Sequence, residues 1–161
     1  MRKLGFGGGC HWCTEAVFQS LHGVQLVEQG WIASLPPFDS FSEGVIVHFN
    51  EEITLETLID VHLLTHSSGN AHRMRNKYRS AVYYLDESDK VVAESRIVGL
   101  ASENETSYIT QVLPFAEFKG NTESYLDYYK RNKKGSFCQT YINPKLEAIR
   151  KKFGRQVRDN F

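Results

Sequence analysis

Cysteine and proline are scarce, with 3 Cys and 4 Pro in 161 residues. Three thiols cannot all pair and build no Cys-rich framework. This argues against a disulfide-stapled secreted scaffold and for reduced, chemically employed thiols. An excess of either charge is also missing: 19 Lys+Arg meet 19 Asp+Glu, a formal net charge of +0. That balance removes the electrostatic footprint of sequence-independent nucleic-acid binding and of attraction to an anionic membrane. Apolar runs such as Val45-Ile46-Val47 fall far short of the roughly 20 residues needed to cross a bilayer. Met1-Arg2-Lys3 leads into a Gly-rich strand end with no signal-peptide pattern, so the expected compartment is the cytoplasm. Internal repeats, low-complexity tracts and linkers are absent too, which makes residues 1–161 one expected domain. What is present is a 41% apolar fraction. A chain of this length buries roughly two thirds of its unfolded surface, enough for a core without a metal.

The apolar pattern predicts a strand over residues 4–9, a helix over 10–21, and strands over 23–32 and 44–49. Thr54 is the expected N-cap of a helix over 55–64. A polar, partly basic stretch over 65–77 reads as a long loop of the kind that carries function. It is followed by a strand over 79–85, a helix over 90–103, a strand over 108–114 and a tyrosine-rich helical stretch over 122–131. A closing helix over 144–157 has Pro in its first turn. Mixed short and long connections favour an α+β two-layer arrangement over a doubly wound sheet.

The densest chemistry lies in Gly7-Gly8-Gly9-Cys10-His11-Trp12-Cys13-Thr14-Glu15. Glycines allow close backbone approach. A cysteine at a helix start meets unpaired N–H groups and the positive end of the macrodipole, which favours the nucleophilic thiolate. Cys10 is therefore the candidate nucleophile. Cys13, one turn further in, reads first as a small buried hydrophobe. The Cys-x-x-Cys spacing leaves three readings: a redox couple, half of a zinc site, or a nucleophile with an inert neighbour. Zinc lacks a second metal-spaced pair. A thioredoxin-like couple would need a preceding βα unit, for which ten residues leave no room. His22, His48, His62 and His66 have no sequence company that suggests a ligand or base.

The segment Gly8-Gly9-Cys10-His11-Trp12-Cys13-Thr14-Glu15 resembles the Gly-Cys-Phe-Trp signature of the A-type peptide methionine sulfoxide reductases, with His11 where that family usually has Phe. Three further segments are similar, in family order. Ser42-Glu43-Gly44-Val45-Ile46-Val47 lies where the family has Gly-His-Ala-Glu and a strand. Lys77-Tyr78-Arg79-Ser80-Ala81-Val82-Tyr83-Tyr84 resembles its Gln-Tyr-Arg-Ser strand, and Cys138-Gln139 precedes Ile142-Asn143-Pro144-Lys145 near the end. Arg73, beside His72, stands where the family carries an Asp five residues before the Tyr.

The resemblance implies an α+β fold, a two-layer α/β sandwich with a ferredoxin-like core and a mixed sheet. It implies reduction of the S epimer of methionine sulfoxide, free or in proteins, without metal, flavin or nicotinamide. Cys10 would attack the sulfoxide sulfur, Glu43 would protonate its oxygen and Tyr78 would donate a hydrogen bond to it. Trp12 with His11 would hold the methyl group, and Trp31 takes the place of a second family tyrosine. Cys138, on a mobile C-terminal loop, would condense with the Cys10 sulfenic acid to give a disulfide, with a Cys10–Cys13 disulfide as rival. Thioredoxin would then reduce it. A monomer is expected. Two alternatives stand beside this reading: a catalytically impaired relative that binds oxidised sulfur ligands or senses redox state, and a thiol oxidoreductase acting through Cys10 and Cys13 alone.

Overall fold

A computed structural model describes residues 2–66, 78–159 and 161. His72, Arg73 and Lys77 lie outside the described residues, as does most of the loop expected over 65–77.

The chain runs β1 (Arg2–Gly7), α1 (His11–Gln19), β2 (Val24–Ala33), β3 (Ser42–Phe49), α2 (Leu55–Thr65), β4 (Ala81–Tyr84), α3 (Glu87–Glu103), β5 (Gln111–Pro114), β6 (Glu117–Gly120), α4 (Tyr128–Asn132) and α5 (Asn143–Phe153). The strands form one sheet in the order β5-β4-β1-β3-β2-β6. Within it, β4-β1-β3-β2 is the antiparallel arrangement of a ferredoxin-like core, since β1 pairs antiparallel with both β3 and β4 and β2 with β3. β5 joins β4 in parallel through the α3 crossover and β6 joins β2 antiparallel, so the sheet is mixed.

The central strands are buried on both faces, and their residues alternate between two cores as the pleat requires. Leu4, Phe6, Val45, Val47, Phe49, Val82 and Tyr84 face the helices, where they meet Val17, Phe18, Leu58, Ile59, Ala93 and Ile149. Ile32, Ile46, Ala81, Tyr83 and Leu113 face a smaller cluster covered by Phe38, Phe115 and Phe118. Helices thus occupy one face of the sheet, giving two layers. The longest described helix, α3, has only 17 residues, and no helix among the described residues is long and apolar enough to cross a membrane.

Local signals explain most element limits and several departures from expectation. Thr54 caps α2 as expected, its Oγ1 accepting from Thr57 N–H at 3.1 Å. α3 begins at Glu87, ahead of the expected residue 90, because Asp86 supplies the cap by accepting from Ser88 N–H at 3.0 Å. The helix expected over 122–131 is broken. Glu123–Tyr125 form a single 3₁₀ turn, Leu126 is extended, Asp127 adopts a left-handed φ of 53°, and only then does α4 begin. β6 was not anticipated from sequence: only 4 residues long, its pattern comes from pairing with distant β2. Cys138 is not in the loop expected from sequence. It opens a π-helical turn, Cys138–Ile142, that runs into α5, and its side chain is 0% exposed. Phe137 packs its ring against Trp12, Tyr128 and Tyr141, which anchors a segment whose Gly135-Ser136 sequence reads as a loop.

Candidate active site

β1 delivers the chain into the site through Gly7, and the next residue turns it. Gly8 has φ 144°, and a Cβ there would lie 2.5 Å from the His66 ring, so only glycine fits. Two histidines brace the turn: His62 Nε2 donates to the Gly7 carbonyl at 2.8 Å, and His66 Nδ1 donates to the His62 carbonyl at 2.5 Å. His66 Nε2 then accepts from Ser80 Oγ at 2.7 Å. Neither residue has sequence company that suggests a ligand or base. Their task is to hold the turn that aims Cys10.

Cys10 is the N-cap of α1 rather than its first helical residue, with φ −58° and ψ 134°. Its carbonyl already accepts the Thr14 N–H at 3.0 Å, while its thiol stands at the helix mouth. The thiol is half-buried and its pKa lies below the ordinary cysteine value. A hydrogen bond from the Cys13 thiol is the main cause, aided by the Trp12 and Cys13 backbone N–H groups and opposed by burial and by the Glu43 charge. Cys13 is pushed in the opposite direction, mostly because it donates to Cys10 and because it is buried. Lys145, whose ammonium donates to the Thr65 carbonyl, pulls the Cys13 thiol down, and Cys138 pushes it up. Burial alone raises Cys138.

Glu43 comes from the start of β3, directly opposite Trp31 on β2. It is 3% exposed. Its Oε1 accepts the His11 backbone N–H at 3.1 Å and lies 3.2 Å from His11 Nδ1, which ties the carboxyl to the first turn of α1. The next strand is tied in as well: the Arg79 backbone N–H donates to Ser42 Oγ at 2.7 Å, fixing Tyr78-Arg79 beside Ser42-Glu43. The buried Arg79 guanidinium donates to Tyr83 Oη at 2.9 Å and to the Ser40 carbonyl at 2.7 Å.

Cys10, His11, Trp12, Trp31, Glu43 and Tyr78 all line one cleft of about 460 Å³, with Asn121, Tyr125 and Phe137 completing it. Six of the seven residues expected at the site therefore meet in one place. Cys138 does not line it, and instead lies in the main core with Cys13, against which Cys10 packs. Sequence reasoning missed Asn121 and placed Tyr125 and Tyr128 only in a tyrosine-rich helical stretch. Tyr128 stacks on Trp12 at 4.0 Å and Tyr125, which lines the cleft, stacks over it at 6.2 Å, so both rings buttress the Trp12 side of the cleft. A roomier cleft of about 750 Å³ between Arg2, Phe49 and residues 50–56 contains no thiol.

The family of this site is decided by its match to known sequences. The pattern that defines peptide methionine sulfoxide reductases fits residues 2–157. The chain is 33% identical over 169 residues to the peptide methionine sulfoxide reductase MsrA of Psychrobacter sp. (strain PRwf-1), covering 95% of this chain and 97% of that protein. The chain belongs to the peptide methionine sulfoxide reductases. As a member of that family it is an oxidoreductase that reduces methionine sulfoxide. Solved structures agree on the fold of this reductase. Reduced Mxr1 from Saccharomyces cerevisiae superposes with a TM-score of 0.76 at 18% identity, over 87% of this chain and 90% of the yeast one. Mxr1 in complex with Trx2 superposes with a TM-score of 0.63 at 17% identity, over 77% of this chain and 83% of the other.

Proposed function

We propose that residues 1–161 act as one cytoplasmic, monomeric domain that reduces the S epimer of methionine sulfoxide, free or in oxidised proteins, as a repair enzyme under oxidative stress. The observation that carries this reading is the Cys10 thiol, with its lowered pKa, at the mouth of α1 in an aromatic cleft that also holds the buried carboxyl of Glu43. The Cys10 thiolate attacks the sulfoxide sulfur. One proton reaches the sulfoxide oxygen from Glu43, with Tyr78 Oη donating a hydrogen bond to that oxygen. The S–O bond breaks as a Cys10–sulfur bond forms, and the departing hydroxide then adds to the Cys10 sulfur, so that the sulfur–sulfur bond breaks, methionine leaves as the thioether and Cys10 is left as a sulfenic acid. Trp12, Trp31 and His11 form the pocket for the methyl group on sulfur, where an apolar aromatic surface suits a thioether. A second thiol then displaces water from the sulfenic acid to give a disulfide, which a thioredoxin-type dithiol reduces by exchange. No metal or organic cofactor is required.

Cys138 is the proposed resolving thiol. Cys13 is its competitor, favoured by its place three residues from Cys10 at the start of α1 and by its influence on the Cys10 thiol, whereas Cys138 is fully buried. The experiment that tests the whole scheme incubates reduced protein with the S and R epimers of N-acetyl methionine sulfoxide without external reductant. About one methionine per chain from the S epimer, with two thiols lost, supports it. Methionine from neither epimer overturns it. Peptide mapping of the oxidised product assigns the disulfide to Cys10–Cys138 or to Cys10–Cys13.

A further inference from the structure

His11 sets an imidazole directly against Glu43 in this cleft. Nothing in the scheme above uses its imidazole as more than pocket wall. Yet the ring is not placed as a simple wall. His11 Nδ1 lies 3.2 Å from Glu43 Oε1, the same oxygen that accepts the His11 backbone N–H. Asn121 Nδ2 approaches the imidazole on both nitrogens, at 3.3 Å from Nδ1 and 3.5 Å from Nε2. Asn121 is fixed in turn by donating to Gln29 Oε1 at 2.6 Å, while buried Gln29 donates to the Tyr125 carbonyl at 2.9 Å. Trp31 closes the remaining side edge-on, its ring centre 5.8 Å from that of His11. The imidazole is 11% exposed and the carboxyl 4%, so water screens their interaction weakly.

We propose that His11 and Glu43 form a proton-sharing pair, oriented by Asn121, and that this pair supplies the proton that the sulfoxide oxygen takes up. The proposal rests on the reductase reading of the cleft. With one proton on the pair, the arrangement is either a carboxylate beside an imidazolium or a carboxylic acid beside a neutral imidazole. Both hold the proton within 3.2 Å of Glu43 Oε1. Two groups this close lose their protons as a unit, and the second loss belongs to the pair rather than to a lone carboxyl. Transfer to the oxygen leaves a carboxylate and a neutral imidazole, one proton for one S–O bond broken. A lone carboxyl would have given up that proton at lower pH, so the pair extends proton delivery toward neutral and mildly alkaline pH. Among the described residues, the other titratable or charged groups around it are Cys10 and Cys13 on α1, Tyr78 before β4, Tyr125, Lys119 of β6 opposite Trp31, and Glu15 through Gln29.

Two measurements test it. The first follows the His11 imidazole by NMR across pH in the reduced protein and in Glu43→Gln. Loss of the carboxylate partner lowers the His11 midpoint by about one pH unit or more if the pair exists. An unmoved midpoint overturns the pair, whether or not methionine is formed. The second is the single-turnover rate of methionine formation against pH for the native chain, His11→Phe and His11→Gln, with Cys10 alkylation followed in parallel to remove changes in thiolate fraction. The ratio of native to variant rate rises about tenfold from pH 5.5 to pH 8 for both variants, since neither replacement can hold the proton. A ratio constant across that range assigns His11 to packing alone and overturns the proposal. A paired NMR titration in a protein that forms no methionine overturns the reductase scheme instead and leaves the pair standing.

Discussion

The indole of Trp12 and the phenol of Tyr128 lie parallel, 4.0 Å apart and 5° from coplanar, although 116 positions separate them. The stack depends on Glu15, one turn beyond Trp12 on α1, whose carboxylate accepts the backbone N–H of Asp127 at 3.0 Å and of Tyr128 at 3.2 Å. One helix thus carries Cys10, the Trp12 side of the pocket and the anchor for the ring stacked on it. Tyr128→Ala removes a stacked pair worth about 1 kcal/mol beyond its buried area. It leaves Cys10, Glu43 and Tyr78 untouched. The expected result is a raised KM for N-acetyl methionine sulfoxide with kcat changed far less. Tyr128→Phe, which keeps the ring, should stay close to the native values.

Glu15 gives this wall a pH dependence. It is 1% exposed, and burial raises its carboxyl above the ordinary carboxylate range, with the Asp127 and Tyr128 N–H groups and Gln29 pulling the other way. A carboxyl raised in the folded state binds more protons folded than unfolded. Its contribution to stability is full below the unfolded value of about 4.3 and is lost as pH rises through the folded one. Glu15→Gln cannot titrate. Denaturant melts at a series of pH values should therefore show the native chain losing stability relative to Glu15→Gln as pH rises above the unfolded carboxyl value of about 4.3. A difference that stays flat, or grows in the native chain's favour, contradicts this balance.

The Cys13 thiol is the largest influence holding Cys10 below its ordinary pKa. Cys13→Ala removes that donor and leaves the helix N–H groups in place. The alkylation midpoint of Cys10 rises, and at neutral pH its rate with iodoacetamide falls about tenfold, since a hydrogen bond to a charged group is worth about 1.5–3 kcal/mol. Cys13→Ser retains a donor and should remain much nearer the native rate. Equal reactivity of all three proteins would mean that the helix mouth alone activates Cys10.

The parts of this molecule legible in its sequence are those written locally. Gly8, Cys10 and Trp12 announce a turn and a thiol at a helix start, and the Thr54 cap and the alternation of Leu4 with Phe6 and Val45 with Val47 are equally direct. The order of four separated motifs carried Glu43 and Tyr78 to the cleft, which no spacing rule could have done. What stayed hidden is set by distant partners. Asn121 enters the site only because Gly30 pairs with Gly120 across β2 and β6, where a Cβ on Gly30 would collide with the Lys119 carbonyl. Tyr125 and Tyr128 read as one helical face, but Glu15 breaks that helix at Asp127 and turns both rings onto Trp12. Cys138 follows a glycine and a serine, yet the packing of Phe137 holds it in helical structure.

A last consequence concerns Ser42, which joins β3, the strand that supplies Glu43, to the segment ahead of β4 that supplies Tyr78. Its Oγ accepts the Arg79 backbone N–H at 2.7 Å, and Ser42 itself is fully buried. Ser42→Ala strands that N–H in the interior, a cost of about 1–3 kcal/mol. The damage is directional as well as energetic. Glu43 follows Ser42 on β3 and Tyr78 precedes Arg79, so loosening this bond moves the proposed acid relative to the hydroxyl proposed to share the sulfoxide oxygen with it. Ser42→Ala should lose about 1–3 kcal/mol in denaturant melts and lower kcat more than it raises KM, while Cys10 alkylates at its native rate. Ser42→Thr keeps the acceptor and should recover most of kcat if its methyl is accommodated. A Ser42→Ala enzyme with native kcat would show that β4 holds Tyr78 without this bond.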